Sequence, residues 1–83
     1  MLRIPVTYDL MCEISQDMEH CSNNPEHCLI TRNGKVAAIV WLNPISINEK
    51  ADLLDWEKKS VIDVITKNQY ELEEEYRRIL NGW

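Results

Sequence analysis

The Asn33-Gly34 pair constrains this chain more than any other two residues. A two-residue type I′ turn needs positive φ at both central positions, and Asn followed by Gly adopts it at little cost. The flanking runs, Cys28-Leu29-Ile30-Thr31-Arg32 and Lys35-Val36-Ala37-Ala38-Ile39-Val40-Trp41-Leu42, are apolar and rich in β-branched residues, so a β-hairpin is predicted. With Arg32 opposite Lys35, one face carries Cys28, Ile30, Ala37, Ile39 and Trp41, and the other carries Leu29, Val36, Ala38, Val40 and Leu42. Both faces are apolar. A chain of 83 residues has little left to cover a second face once a helix covers the first. The second set, Leu29, Val36, Ala38, Val40 and Leu42, is therefore expected to bury itself against another copy as a homodimer interface.

The hairpin's neighbours are read from period and punctuation. Leu2, Ile4 and Val6 alternate with Arg3 and Pro5, which predicts a strand, and Pro5 puts it at an edge or bulge. From Tyr8 two periods compete: Tyr8, Leu10, Cys12 and Ile14 continue the alternation, while Leu10, Ile14, Met18 and Cys21 follow a helical stripe. Thr7 as an N-cap, and the reach of the stripe to Met18 and Cys21, favour the helix. Cys21-Ser22-Asn23-Asn24-Pro25 is a reversing loop, Asn43-Pro44 ends the last strand, and the polar stretch from Asn48 to Leu54 suits a short helix. The last third reads as one long helix with Asp55 as its cap and Gly82 past its end. Its stripe holds Leu54, Val61, Ile62, Ile65, Leu72, Tyr76, Ile79, Leu80 and Trp83. Asp63 with Lys67, Glu73 with Arg77, and Glu74 with Arg78 are favourable pairs four residues apart on its other side. At 1.5 Å per residue such a helix is about 40 Å long and projects past its own sheet. The expected fold is α+β: a small sheet from the N-terminal strand and the hairpin, one helix between strands 1 and 2, and a long C-terminal helix. Residues 1–48 form the dimerisation module and residues 49–83 the helical segment.

Charge narrows the partners. A net charge of −5 argues against general polyanion binding, which rests on neutralising phosphates with Lys and Arg. Any DNA contact must be local, and the hairpin tip with Arg32, Asn33 and Lys35, assisted by Arg3, is the small cationic point available. The acidic surplus suits a basic protein partner. No apolar run reaches membrane-spanning length and the N-terminus lacks the pattern of a signal peptide, so the expected compartment is the cytoplasm, with no membrane partner. Cys12, Cys21 and Cys28 form no even-numbered disulfide framework and are expected as reduced, half-buried thiols. Glu19-His20-Cys21 and Glu26-His27-Cys28 offer metal-ligating types, but their spacing matches no common zinc motif. A cysteine beside His20 or His27 has no third orienting group at recognisable spacing, and neither glycine, Gly34 nor Gly82, sits in a phosphate loop. No metal, no cofactor and no enzymatic activity are expected. Trp41 is core, whereas Trp56 and Tyr70 lie off the main helical stripe, where they suit a partner anchor.

Ile30-Thr31-Arg32-Asn33-Gly34-Lys35-Val36-Ala37-Ala38-Ile39-Val40 resembles the central signature of the Phd/YefM antitoxins of type II toxin–antitoxin systems. Ile4-Pro5-Val6-Thr7, Asp9-Leu10 and Glu13-Ile14-Ser15 resemble that family's first strand and the start of its first helix, and the likeness covers roughly residues 2–44. It implies a YefM-like/Phd-like fold, a helix after the first strand, dimerisation through the sheet, operator binding by the N-terminal module with autorepression, and a C-terminal segment that holds a cognate toxin. Met11 stands where the family commonly has a DNA-contacting arginine. The helical stripe fits the toxin-holding role independently, so Val61, Ile65, Leu72, Tyr76, Ile79 and Leu80 on it, with Trp56 beside it, are the expected toxin-binding residues. Glu71, Glu73, Glu74 and Glu75 are poised to meet a basic active site. An acidic adaptor or inhibitor without a DNA-binding role is the alternative.

Overall fold

The computed structural model describes residues 2–14 and 26–80. Strands β1 (Leu2–Pro5), β2 (Leu10–Ile14), β3 (His27–Arg32), β4 (Lys35–Leu42) and β5 (Ile45–Ile47) precede helices α1 (Asp55–Lys67) and α2 (Gln69–Leu80). The strands form one antiparallel meander in the order β1-β2-β3-β4-β5.

This corrects the expected α+β arrangement, because among the described residues no helix stands between β1 and the hairpin: Leu10–Ile14 is a strand. The alternation of Leu10, Cys12 and Ile14 wins because all three are buried on the sheet face that the helices cover. As a strand the segment also pairs along both edges, Arg3 with Glu13 on one side and Met11 with Thr31 on the other. A helix there would leave β1 without a partner. Thr7 does bond to the following backbone, but in a turn rather than at a helix start. Its Oγ1 accepts from the Leu10 N–H at 3.2 Å, and the Val6 N–H donates to the Leu10 carbonyl at 2.9 Å. The rest of the expected stripe, Met18 and Cys21, lies outside the described residues, as does the loop Cys21 to Pro25.

The hairpin forms with Arg32 opposite Lys35, and its turn residues have positive φ, 53° at Asn33 and 81° at Gly34. A β-bulge follows two residues along: Thr31 faces Val36, but Ile30 faces Ala38, leaving Ala37 as the extra residue. The bulge reverses the face assignment beyond it. Ala38, Val40 and Leu42 join Cys28 and Ile30 in the chain's own core instead of forming a dimer surface. Leu29 and Val36 share the opposite, more open face with Ile39 and Trp41; Val36 is exposed there, and Leu29, Ile39 and Trp41 are half-buried. On the covered side Cys12 and Cys28 are buried free thiols sharing a hydrogen bond at 3.3 Å. That contact and burial push the Cys28 thiol pKa far up, so it stays protonated.

The C-terminal helix is two helices. At Asn68 the backbone leaves the helical region (φ −116°, ψ 15°), and the side chain turns back to donate to the Val64 carbonyl at 2.8 Å. The chain restarts as α2, whose Gln69 side chain donates to the Leu42 carbonyl at 2.6 Å. The stripe nonetheless continues in phase: Val61 and Ile65 from α1, and Leu72, Tyr76 and Ile79 from α2, are buried in one cluster with the sheet. Among the described residues neither helix projects as expected, since the stripe of both is buried against the sheet. On the outer side Asp63–Lys67 forms at 3.2 Å, but Arg77 turns to Glu26 at 3.9 Å and Arg78 to Glu75 at 3.0 Å. The stretch from Asn48 to Leu54 is not helical: it turns at Glu49 and Lys50, where the Ala51 N–H donates to the Asn48 carbonyl at 3.2 Å, and then runs beside β4. Asn48 brackets Ile39 with two hydrogen bonds of 3.0 Å, and the Asp52 N–H donates to the bulged Ala37 carbonyl at 2.8 Å. No helix of the described residues is long and apolar enough to cross a membrane.

Candidate functional site

A cleft of about 470 Å³ opens between the β1–β2 turn and the first turn of α1, lined by Tyr8, Asp9, Arg32, residues 51–54, Trp56 and Glu57. Its floor is an ion-pair cluster. Arg32 ends β3 on the helix-covered face, opposite Leu10, so its side chain runs towards α1. There Nη2 donates to Glu57 Oε2 at 2.5 Å, and Nη1 reaches the Asp52 carbonyl at 3.5 Å. Its Nε lies 3.1 Å from Asp9 Oδ2. That N–H is not aligned for a hydrogen bond, so the Asp9 contact is an ion pair only.

Glu57 is the other half of the floor. Leu54 is the N-cap of α1, in place of the expected Asp55, and a leucine side chain has no acceptor to offer. Only the reciprocal half of a capping box forms: the Leu54 N–H donates to Glu57 Oε1 at 2.8 Å. With both oxygens engaged, Glu57 is only 4% exposed. The Leu54 amide first, and the Arg32 guanidinium second, hold its carboxyl below the ordinary range, while the same pairing raises Arg32.

The walls have no such internal engagement. Tyr8 is 93% exposed, Leu54 62% and Trp56 52%. Tyr8 stands on a tight turn, where Thr7 Oγ1 also donates to Asp9 Oδ1 at 3.0 Å. Trp56 stands on the first turn of α1. The cleft thus presents large apolar side chains to solvent from two backbone segments, over three carboxylates against one guanidinium.

The predicted DNA set is divided. Arg32 is committed to Glu57 and Asp9, and Arg3 lies 3.6 Å from Glu13 on the open face, where Glu13 also accepts from the Thr31 hydroxyl. Asn33 and Lys35 are exposed at the tip. Of the predicted toxin-binding set, Val61, Ile65, Leu72, Tyr76 and Ile79 are consumed by the core, the Leu80 side chain lies outside the described residues, and Trp56 is presented to solvent. Of the predicted dimer set, Leu29 and Val36 are on the open face. Sequence reasoning missed Tyr8, Asp9, Asp52 and Glu57 as neighbours of Trp56. The available signal was Glu57 three residues after Leu54, half of a capping-box spacing. Trp41 is half-buried, with its ring edge-on to His27 at a centroid distance of 5.5 Å. Tyr70 is exposed, and its hydrogen bond to Glu74 raises its pKa. Among the described residues no group of three His, Cys, Asp or Glu is placed to hold a metal ion.

Against this geometry, no family model, curated protein or solved structure matches the chain.

Proposed function

We propose that this chain is a small acidic protein-binding module, an inhibitor or adaptor acting in the cytoplasm, that captures a basic partner protein. One observation carries the reading: Tyr8, Leu54 and Trp56 are exposed around a single cleft whose floor is fixed by ion pairs. Tyrosine and tryptophan dominate binding energy at protein interfaces, and exposing them together has no benefit to the isolated chain. The net charge of −5 supplies the preference for a basic partner.

A second reading, an antitoxin whose partner is a toxin, rests on the resemblance of the Ile30–Val40 segment, although the helix that the same resemblance implies after the first strand is replaced by β2. In that reading the toxin is held at the cleft rather than on the helical stripe, and Asn33 and Lys35 remain for operator phosphates. Both readings are tested by co-expression with the product of the adjacent reading frame. Copurification that is lost in Trp56→Ala and Tyr8→Ala is the expected result. A wild-type chain that elutes without that product, or variants that retain it fully, would overturn the assignment of the cleft.

A further inference from the structure

Which chemical group the cleft takes follows from its walls and its charge. The floor is closed to a new ligand, because Arg32 and both Glu57 oxygens already have partners. Glu57 also meets the half-positive N-terminus of α1 from within its first turn, as does Asp55. The Asp52 carboxylate remains without a hydrogen bond to Arg32, which reaches the carbonyl of that residue and meets its charge only at longer range. Asp9 shares its charge with the Arg32 Nε. Counting Asp9, Asp52 and Glu57 against Arg32, the cleft carries two net negative charges beneath an exposed tyrosine and tryptophan.

Aromatic faces attract cations through their quadrupole, and an adjacent carboxylate adds to the attraction. An anion would be repelled, and a purely apolar group would leave Asp52 beside a dry surface without compensation. A long side chain with an apolar stem and a cationic head satisfies both parts of the cleft. Resting on the protein-binding reading above, we infer that the cleft between the Thr7–Asp9 turn and the first turn of α1 receives an arginine or lysine side chain of the partner. Its stem lies along Leu54 and Trp56, and its charge is shared between the rings of Tyr8 and Trp56 and the Asp52 carboxylate.

The test uses the full chain and defined probes: N-acetyl-arginine methylamide and its lysine, glutamine and glutamate counterparts, titrated while the Trp56 indole and the Asp9 and Asp52 amide signals are followed by NMR. The arginine and lysine compounds are expected to shift these signals saturably, and the glutamine and glutamate compounds are not. Asp52→Asn should weaken arginine binding about two- to fivefold, the scale of an exposed ion pair. Tyr8→Ala should weaken it by a similar factor, the scale of an exposed cation–π contact. Both positions are exposed, so neither change disturbs the core. Equal shifts with the glutamine or glutamate compounds, no saturable shift with arginine, or arginine binding untouched by both variants would each overturn the inference. Copurification with the neighbouring product separates the two levels. Loss in Trp56→Ala with full retention in Asp52→Asn and no cation preference leaves the protein-binding reading standing and removes this one, whereas retention in every variant removes both.

Discussion

Cutting the chain after Lys67 distinguishes a packed C-terminus from a projecting one. A projecting, partner-binding helix would leave the remainder folded, because its stripe would contribute nothing to the isolated chain. The structure demands the opposite outcome. Leu72, Tyr76 and Ile79 are buried against β2, β3 and β4, and each contributes about 1.5–3 kcal/mol by its burial. Together that is on the order of 5–9 kcal/mol, against a total stability of about 4–12 kcal/mol for a chain of this length. The truncated chain is therefore expected to lack a cooperative thermal transition and to lose most of its sheet signal in circular dichroism. A milder perturbation keeps the reasoning testable where truncation simply aggregates. Leu72→Ala should cost about 2–5 kcal/mol, which lowers Tm by roughly 10 °C or more in a domain of this size. Lys67→Ala, which removes an exposed ion pair with Asp63, should change Tm by no more than a few degrees. A truncated chain that melts cooperatively within a few degrees of full length would refute the argument and restore the projecting arm.

The Glu57 carboxyl is held below its ordinary value near 4.5, so the stability it contributes is present above that pH and is lost as pH falls through its folded value. Glu57→Gln should lower the urea midpoint at pH 7 and flatten its decline below pH 4.5, and an unchanged profile would disprove the coupling. Gly34→Ala meets nothing within 4 Å but must hold φ near +81°, so about 1–2 kcal/mol of destabilisation is expected from backbone strain alone, read as a shifted urea midpoint. A second copy of the chain packing on the open sheet face would be weakened by Ile39→Lys. Sedimentation of the wild type should then show a dimer at micromolar concentration and the variant a monomer, whereas a wild-type monomer rules out that use of the face.

What the sequence disclosed depended on how local the cause was. Asn33-Gly34 specifies its turn through the φ of two residues, and the turn sits where they predict. The bulge at Ala37 has no comparable local signature, since an extra alanine between Val36 and Ala38 leaves composition and turn unchanged. It nevertheless decides which residues meet the helices. Tyr8 to Ile14 carried a genuine ambiguity, because Leu10 and Ile14 satisfy both periods and only the pairing of β2 with its two neighbours resolves it. β5 is three residues long and offers no periodicity to read. The helical stripe was visible residue by residue, but amphipathicity says that a face is covered and not what covers it. The cleft was illegible for a related reason: Tyr8, Arg32 and Trp56 are far apart in sequence, and only the meander brings the first turn beside the start of α1.

Arg32 shows how that placement redistributes function. Read in sequence it is the strongest cation of the hairpin tip; in the fold it is a post holding the β1–β2 turn to α1 through Asp9 and Glu57. Its commitment to Asp9 and Glu57 leaves the tip with Lys35, while Arg3 is shared with Glu13. Each phosphate contact contributes a slope of about −0.9 to the salt dependence of duplex binding, and proteins that hold DNA firmly make 6–10 such contacts. A tip with one uncommitted lysine, on a chain of charge −5, reaches a small fraction of that even when doubled in a dimer. The same residue, by fixing the cleft floor, positions Tyr8 and Trp56 on rigid supports, so a partner orders fewer groups when it binds there. Under the proposed reading, the charge that would have favoured nucleic acid instead pre-organises the cleft, and the acidic excess that repels phosphate would favour a basic partner there.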